Sequence, residues 1–154
     1  MIFPRMAASR HTSSGVTGSK QRKRLSELLQ IGDAQQRLAR LVHDVGKHPA
    51  LEHAWRTEAY RVEGCLVRIW LVPEFRNGTC FFRCDSDALS LKAVGGLLCE
   101  LYSGLTPAQI CMTTVSPLKS LGILHQLAEN RRRTIARIEE KIRRFAMEHQ
   151  TKET

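Results

Sequence analysis

The apolar positions of the chain change their period along its length. Leu38, Leu41, Val42 and Val45 recur at helical spacing behind Asp33, which stands three residues before Gln36 as in a capping box. Gly46 stops this helix and Pro49 prevents its continuation. A short helix is read before it, at Leu25 to Ile31, and a helical turn after it, at Leu51 to Arg56. From Tyr60 the period falls to that of strands. Tyr60 to Glu63 forms one short candidate, ended by Gly64, and Val67, Ile69 and Leu71 then alternate with Arg68, Trp70 and Val72. Asn77-Gly78 is a strong hairpin signal, and Thr79 to Cys84 reads as the returning strand.

Beyond the hairpin the pattern is helical again. Asp85-Ser86-Asp87 offers N-cap chemistry, and Ala88 to Tyr102 is apolar on nearly all sides, as a buried central helix requires. Ser103-Gly104 ends it. Thr106-Pro107-Ala108-Gln109 opens another helix with a threonine cap, a proline at the first position and a glutamine at the third. Ser116-Pro117 starts a short turn closed by Gly122. The last helix runs from about Asn130 to Met147, with Ile135, Ile138, Ile142 and Phe145 as its apolar stripe. Helix, small sheet, then helices is an α+β order. The expectation is an antiparallel sheet of about three strands packed against several helices. Its expected borders are a disordered basic tail over 1–24, a folded domain over 25–148 and a flexible C-terminus over 149–154.

Composition narrows the class. At 154 residues, 42% of them hydrophobic and 25% charged, one domain can bury a core without disulfides or metal. The richest apolar stretch, Leu89 to Leu101, is interrupted by Ser90, Lys92 and Glu100, so no membrane span is expected. The N-terminus lacks a continuous apolar run, which argues against a secretory signal. The net charge of +9 is uneven: residues 1–24 carry six Lys/Arg and no acid, 131–144 a balance of +5, and 25–130 a balance of −1. Basic ends steer acidic partners, but a neutral middle without a reader motif is not a specific nucleic-acid module. The five cysteines, odd in number and irregular in spacing, point to a reducing compartment and hence to the cytoplasm. The acid-free, Arg- and Ser-bearing stretch 1–24 makes organelle targeting the alternative.

Familiar catalytic patterns are missing: no Gly-rich phosphate loop, no His-Glu-x-x-His and no Gly-x-Ser-x-Gly. His43, His48 and His53 are spaced five apart and share no helix face. Four residues along a strand, the separation of Cys80 and Cys84, span roughly 13 Å. That is too far for one zinc, with bonds of about 2.3 Å, or for a disulfide, whose Cα atoms lie within about 7 Å. Both read as core thiols, as do Cys99 and Cys111. Cys65 differs. It follows Gly64 in a tight connection, where the glycine turns the backbone sharply and projects the sulfur, and Arg61 and Arg68 flank it with positive charge. Taken alone, a loop cysteine is more often incidental.

Four motifs in order change that reading. Val62-Glu63-Gly64-Cys65-Leu66-Val67-Arg68-Ile69-Trp70 resembles the active-site segment of the SufE family, the sulfur acceptors of iron–sulfur cluster assembly. Asp85-Ser86-Asp87-Ala88 resembles its D-S-D-A, Tyr102 to Pro107 its Y-x-x-x-T-P, and Leu127-Ala128-Glu129-Asn130-Arg131 its L-T-P-S-R. Leu41 to Arg56 also fits, so the likeness covers about 34–146. Val67 stands where the family has serine, and Glu129-Asn130 where it has Pro-Ser.

The resemblance implies a fold similar to the IscU-like iron–sulfur scaffold and a relay chemistry. Cys65 would accept persulfide sulfur from a SufS-like cysteine desulfurase, stimulate it, and pass the sulfur to a SufB/SufBCD-like cluster scaffold. The pyridoxal phosphate belongs to the desulfurase, so this chain would need no cofactor and no metal. It would be a transfer partner and activator rather than a stand-alone enzyme. The cysteine loop is expected in two positions, buried for protection and extended for reaction. Arg61, Asp85, Ser86, Asp87 and Arg131 are candidates for docking the partner or tuning that loop; the alternatives are helix capping for the aspartates and a solvated helix charge for Arg131. Two other functions stay open: a cluster-binding scaffold, which needs three or four converging ligands, and a nucleic-acid module using the basic ends.

Overall fold

The computed structural model describes residues 18–48 and 50–152. Its centre is the hairpin that Asn77-Gly78 sets. Both residues have positive φ, 53° and 82°, the left-handed pair that a two-residue turn of this kind demands. The turn joins β1 (Ile69–Arg76) to β2 (Thr79–Ser86) in antiparallel register, with Ile69 opposite Ser86 and Arg76 opposite Thr79. Among the described residues two strands form the sheet rather than three. The Tyr60–Glu63 segment makes only an isolated bridge, Arg61 with Trp70, because hydrogen bonds from Val62 N–H to Ile69 O and from Leu71 N–H to Tyr60 O exhaust its pairing. On the far edge, Leu105 bridges Cys80.

Five α-helices among the described residues surround this hairpin. They are α1 (Ser19–Leu29), α2 (Ala34–His43), α3 (Leu89–Tyr102), α4 (Pro107–Met112) and α5 (Glu129–Lys152). Short 3-10 turns at Asp44–Lys47, His53–Trp55, Lys119–Leu121 and Ile123–Gln126 link them. The apolar helix α3 lies on β2, with Leu91, Ala93, Val94, Leu97, Leu98 and Leu101 all buried. Gly95 allows the approach: a Cβ there would stand 2.8 Å from Cys84 Sγ. Helix α5 closes the core from outside with Ile135, Ile138, Ile142 and Ala146. Asp33 caps α2 by accepting from Gln36 N–H at 2.8 Å, and Thr106 with Gln109 forms the reciprocal capping box of α4.

Both expected ends shift outward. Residues 19–24, read as tail, are the first turns of α1. The Gln21 side chain donates to Ser103 O at 3.0 Å, and Arg24 pairs with Glu100 at 3.0 Å, so polar contacts dock these first turns, while Leu25 and the buried Leu28 pack the rest of the helix on the core. The rest of that expected tail, 1–17, lies outside the described residues. At the other end α5 continues to Lys152, and His149 packs on Phe145 and Phe75, which makes 149–152 helix rather than a flexible terminus. The N-cap of α3 is Ala88, without a side-chain cap. Strand β2 runs on to Ser86, and the Asp85-Ser86-Asp87 side chains serve elsewhere.

Candidate functional site

The site is built on the excursion between Val62 and Ile69. Its mouth is closed by the hydrogen bond from Val62 N–H to Ile69 O, 2.9 Å. Its return end is gripped by the Asp85-Ser86-Asp87 motif. Ser86 Oγ donates to Arg68 O at 2.8 Å, Asp87 N–H donates to the same carbonyl at 3.2 Å, and Asp87 Oδ2 accepts from Arg68 Nε at 2.8 Å. Asp85 anchors a second segment. Its fully buried carboxylate accepts from Leu51 N–H at 3.0 Å and Arg56 Nη2 at 2.6 Å, with Lys92 Nζ at 3.5 Å. Burial alone would push this carboxyl up. The Leu51, Arg56 and Ser86 donors, together with the Lys92 charge, overcome it and hold Asp85 below the usual carboxylate value.

Gly64, at φ +80°, makes the bend that only glycine takes without strain. Cys65 follows it, half-buried, with its thiol 3.8 Å from Glu63 O. The next residue, Leu66, is 87% exposed, the most exposed large hydrophobic described. Cys65 opens on a pocket of about 160 Å³, lined by Gly64, Leu66, Asn130, Arg133, Thr134 and Arg137. The wall facing the loop is therefore helix α5. Arg137 reaches closest: a Cβ on Gly64 would stand 3.0 Å from its guanidinium carbon. Arg133 is paired with Glu129 at 3.3 Å.

These arginines were not among the sequence-based candidates, although 130, 133, 134 and 137 share one helix face, which is the available signal. Of the candidates, Ser86 and Asp87 hold the loop's return end and Asp85 holds the neighbouring segment. Arg61 pairs with Glu58 at 3.4 Å and does not line the pocket. Arg131 donates to Ser90 Oγ at 2.6 Å, tying the start of α5 to α3, and does not line the pocket either.

The other cysteines serve different surroundings. Cys80, Cys84 and Cys99 are buried, and a hydrogen bond between Cys99 and Cys84, with burial, pushes the Cys99 thiol well up. Cys111 is half-buried on α4, and burial raises its thiol too. Among the described residues, no three His, Cys, Asp or Glu side chains converge as metal ligands. Also among them, no helix is long and apolar enough to cross a membrane.

The Fe-S metabolism associated domain, SufE, matches residues 22–146. This chain belongs to the SufE family. The family is one associated with iron–sulfur metabolism. A SufE-like protein of Synechocystis is 28% identical over 83 residues, 54% of this chain and 52% of that protein. The chloroplastic quinolinate synthase of Nicotiana tabacum is 26% identical over 123 residues, 79% of this chain but only 16% of its own length. The chain thus spans about half of one relative and a small part of the other. A solution structure of a hypothetical protein from Thermus thermophilus shares the fold, with a TM-score of 0.69 over 86% of this chain and 96% of that one at 18% identity. The family match includes all four motifs and the whole Cys65 loop with its α5 wall.

Proposed function

We propose that this SufE-family chain is a sulfur acceptor whose carrier is Cys65. The observation that carries the reading is the position of this thiol: half-buried on a glycine-bent loop, open to a small pocket, with its loop ends clamped. Buried thiols such as Cys80 and Cys84 are screened from a protein-bound donor. A loop tip can be presented to one, and the exposed Leu66 beside it supplies apolar surface for contact.

The step is thiol exchange on a persulfide. Cys65, as thiolate, attacks the outer sulfur of a persulfide on the desulfurase. One S–S bond forms at Cys65 Sγ, the donor's S–S bond breaks, and the donor cysteine leaves as thiolate. No net oxidant or reductant is consumed. Pyridoxal phosphate stays with the SufS-like donor, and the loaded Cys65 passes its sulfur to a SufB/SufBCD-like scaffold by the same exchange. The clamp by Ser86 and Asp87 leaves residues 63–67 as the part that moves between resting and extended positions. The free thiols favour the cytoplasm as its place of work; the chloroplastic relative makes an organelle the alternative destination.

The test is stimulation of the donor. Alanine formation by a SufS-like desulfurase from cysteine is measured with and without this chain. Wild type raises the turnover rate and Cys65→Ser does not. Undiminished stimulation by Cys65→Ser overturns the proposal.

A further inference from the structure

Among the described side chains helix α5 carries four exposed cations, Arg133, Arg137, Lys141 and Arg144, and two of them have counter-ions. Arg133 pairs with Glu129, and Arg144 pairs with Glu140 at 3.5 Å. Of the two cations that line the Cys65 pocket, Arg133 is paired and Arg137 is not. Among the described residues no acidic side chain pairs with it, yet its guanidinium lies against the Gly64 bend and in the lining of the Cys65 pocket. The contact is close enough that a methyl on Gly64 would meet Cζ and Nη1 at 3.0 Å and Nη2 at 3.2 Å. A cation held there, without a partner, is placed to meet charge that arrives with the reaction. A persulfide is more acidic than its parent thiol, so its outer sulfur is an anion at neutral pH. A pocket of about 160 Å³ has room for that added atom.

We infer that Arg137 is a positioning residue that seats the anionic outer sulfur of a Cys65 persulfide between loop 63–67 and helix α5. The inference rests on the reading of Cys65 as acceptor and adds what retains the sulfur between donor and recipient. The interaction is open to water, so its strength is that of an exposed ion pair, about two- to fivefold in a rate. It is also screened by salt. Lysine keeps the charge but not the planar fork, so Arg137→Lys retains much of the effect and Arg137→Gln loses it.

The experiment loads the full chain in two ways: with a desulfurase and cysteine, and with inorganic polysulfide. In the second, Cys65 thiolate takes one sulfur and a shorter polysulfide leaves. A neutral water-soluble phosphine then strips the outer sulfur as phosphine sulfide, leaving Cys65 thiolate. Peptide mass spectrometry follows the loaded fraction, and thermal melting checks each variant's fold. The expected results are stripping about two- to fivefold faster in Arg137→Gln, near wild-type behaviour in Arg137→Lys, and a salt-accelerated rate in wild type that the glutamine variant lacks. Equal stripping of wild type and Arg137→Gln overturns the inference, as does equal loss in the lysine and glutamine variants. Loading by polysulfide but not by desulfurase defeats the acceptor reading and leaves the Arg137 comparison intact. Failure of both routes to load wild-type Cys65 overturns both readings.

Discussion

Asp85→Ala removes the most heavily used carboxylate among the described residues. The side chain is 1% exposed and binds Leu51 N–H, Ser86 N–H and Arg56, with Lys92 close by. Truncation strands a buried backbone N–H, at about 1–3 kcal/mol. It also breaks a buried ion pair, for which losses of about 3–5 kcal/mol are usual. Arg56 and Lys92 keep 29% and 18% exposure and recover part of their hydration, which favours the lower end. The expected loss is roughly 3 kcal/mol by urea denaturation, or a fall in melting temperature on the order of 10 °C. Asp85→Asn keeps one acceptor oxygen, for Leu51 N–H or Ser86 N–H but not both, and removes the charge, at about 2 kcal/mol. The sign of the pH dependence follows from the depressed carboxyl. Its contribution is complete above the unfolded value of about 4 and disappears as pH falls through the lower folded value. The gap between wild type and Asp85→Asn should therefore narrow below about pH 4. A loss under about 1 kcal/mol for Asp85→Ala, or a gap that widens in acid, refutes this account of the carboxylate.

Gly64→Ala puts a Cβ at φ +80° and 3.0 Å from the Arg137 guanidinium. The guanidinium swings aside, so the left-handed backbone sets the cost, about 1–2 kcal/mol in chemical denaturation; an unchanged midpoint would contradict the bend. Gly95→Ala gains about 1 kcal/mol of helix propensity but sets a methyl 2.8 Å from Cys84 Sγ, and overpacking costs about 1–3 kcal/mol. The single substitution destabilises, whereas in a Cys84→Ala background it stabilises. A double-mutant cycle reads that reversal, and additive effects would show that the two sites do not touch.

Local chemistry made much of the fold legible. Asn77-Gly78, the Thr106–Gln109 capping box and the apolar α3 each specify their structure within a few residues, and each formed as read. Only the first turns of α1 escaped the reading that began this helix at Leu25: they dock through Gln21 and Arg24, polar groups inside a charged run, whose partners Ser103 and Glu100 lie far along the chain. The missing third strand is a matter of length: around Arg61 there is room for one bridge and little more. The same distinction runs through the site. Cys65, its glycine and the Asp85-Ser86-Asp87 clamp follow from sequence motifs. Arg133 and Arg137 share a helix face with Asn130 and Thr134, but that this face meets the loop depends on how α5 crosses it, a long-range contact. Arg131 carried the motif resemblance, yet its partner is Ser90.

The central claim concerns where a sulfur atom comes to rest. Incubation with a cysteine desulfurase and isotopically heavy-sulfur cysteine, alkylation, proteolysis and mass spectrometry locate it directly. The account predicts one heavy sulfur on the Cys65 peptide, none on those of Cys80, Cys84, Cys99 or Cys111, and none anywhere in Cys65→Ser. Heavy sulfur bound to another cysteine, or retained by the Cys65→Ser chain, would contradict it.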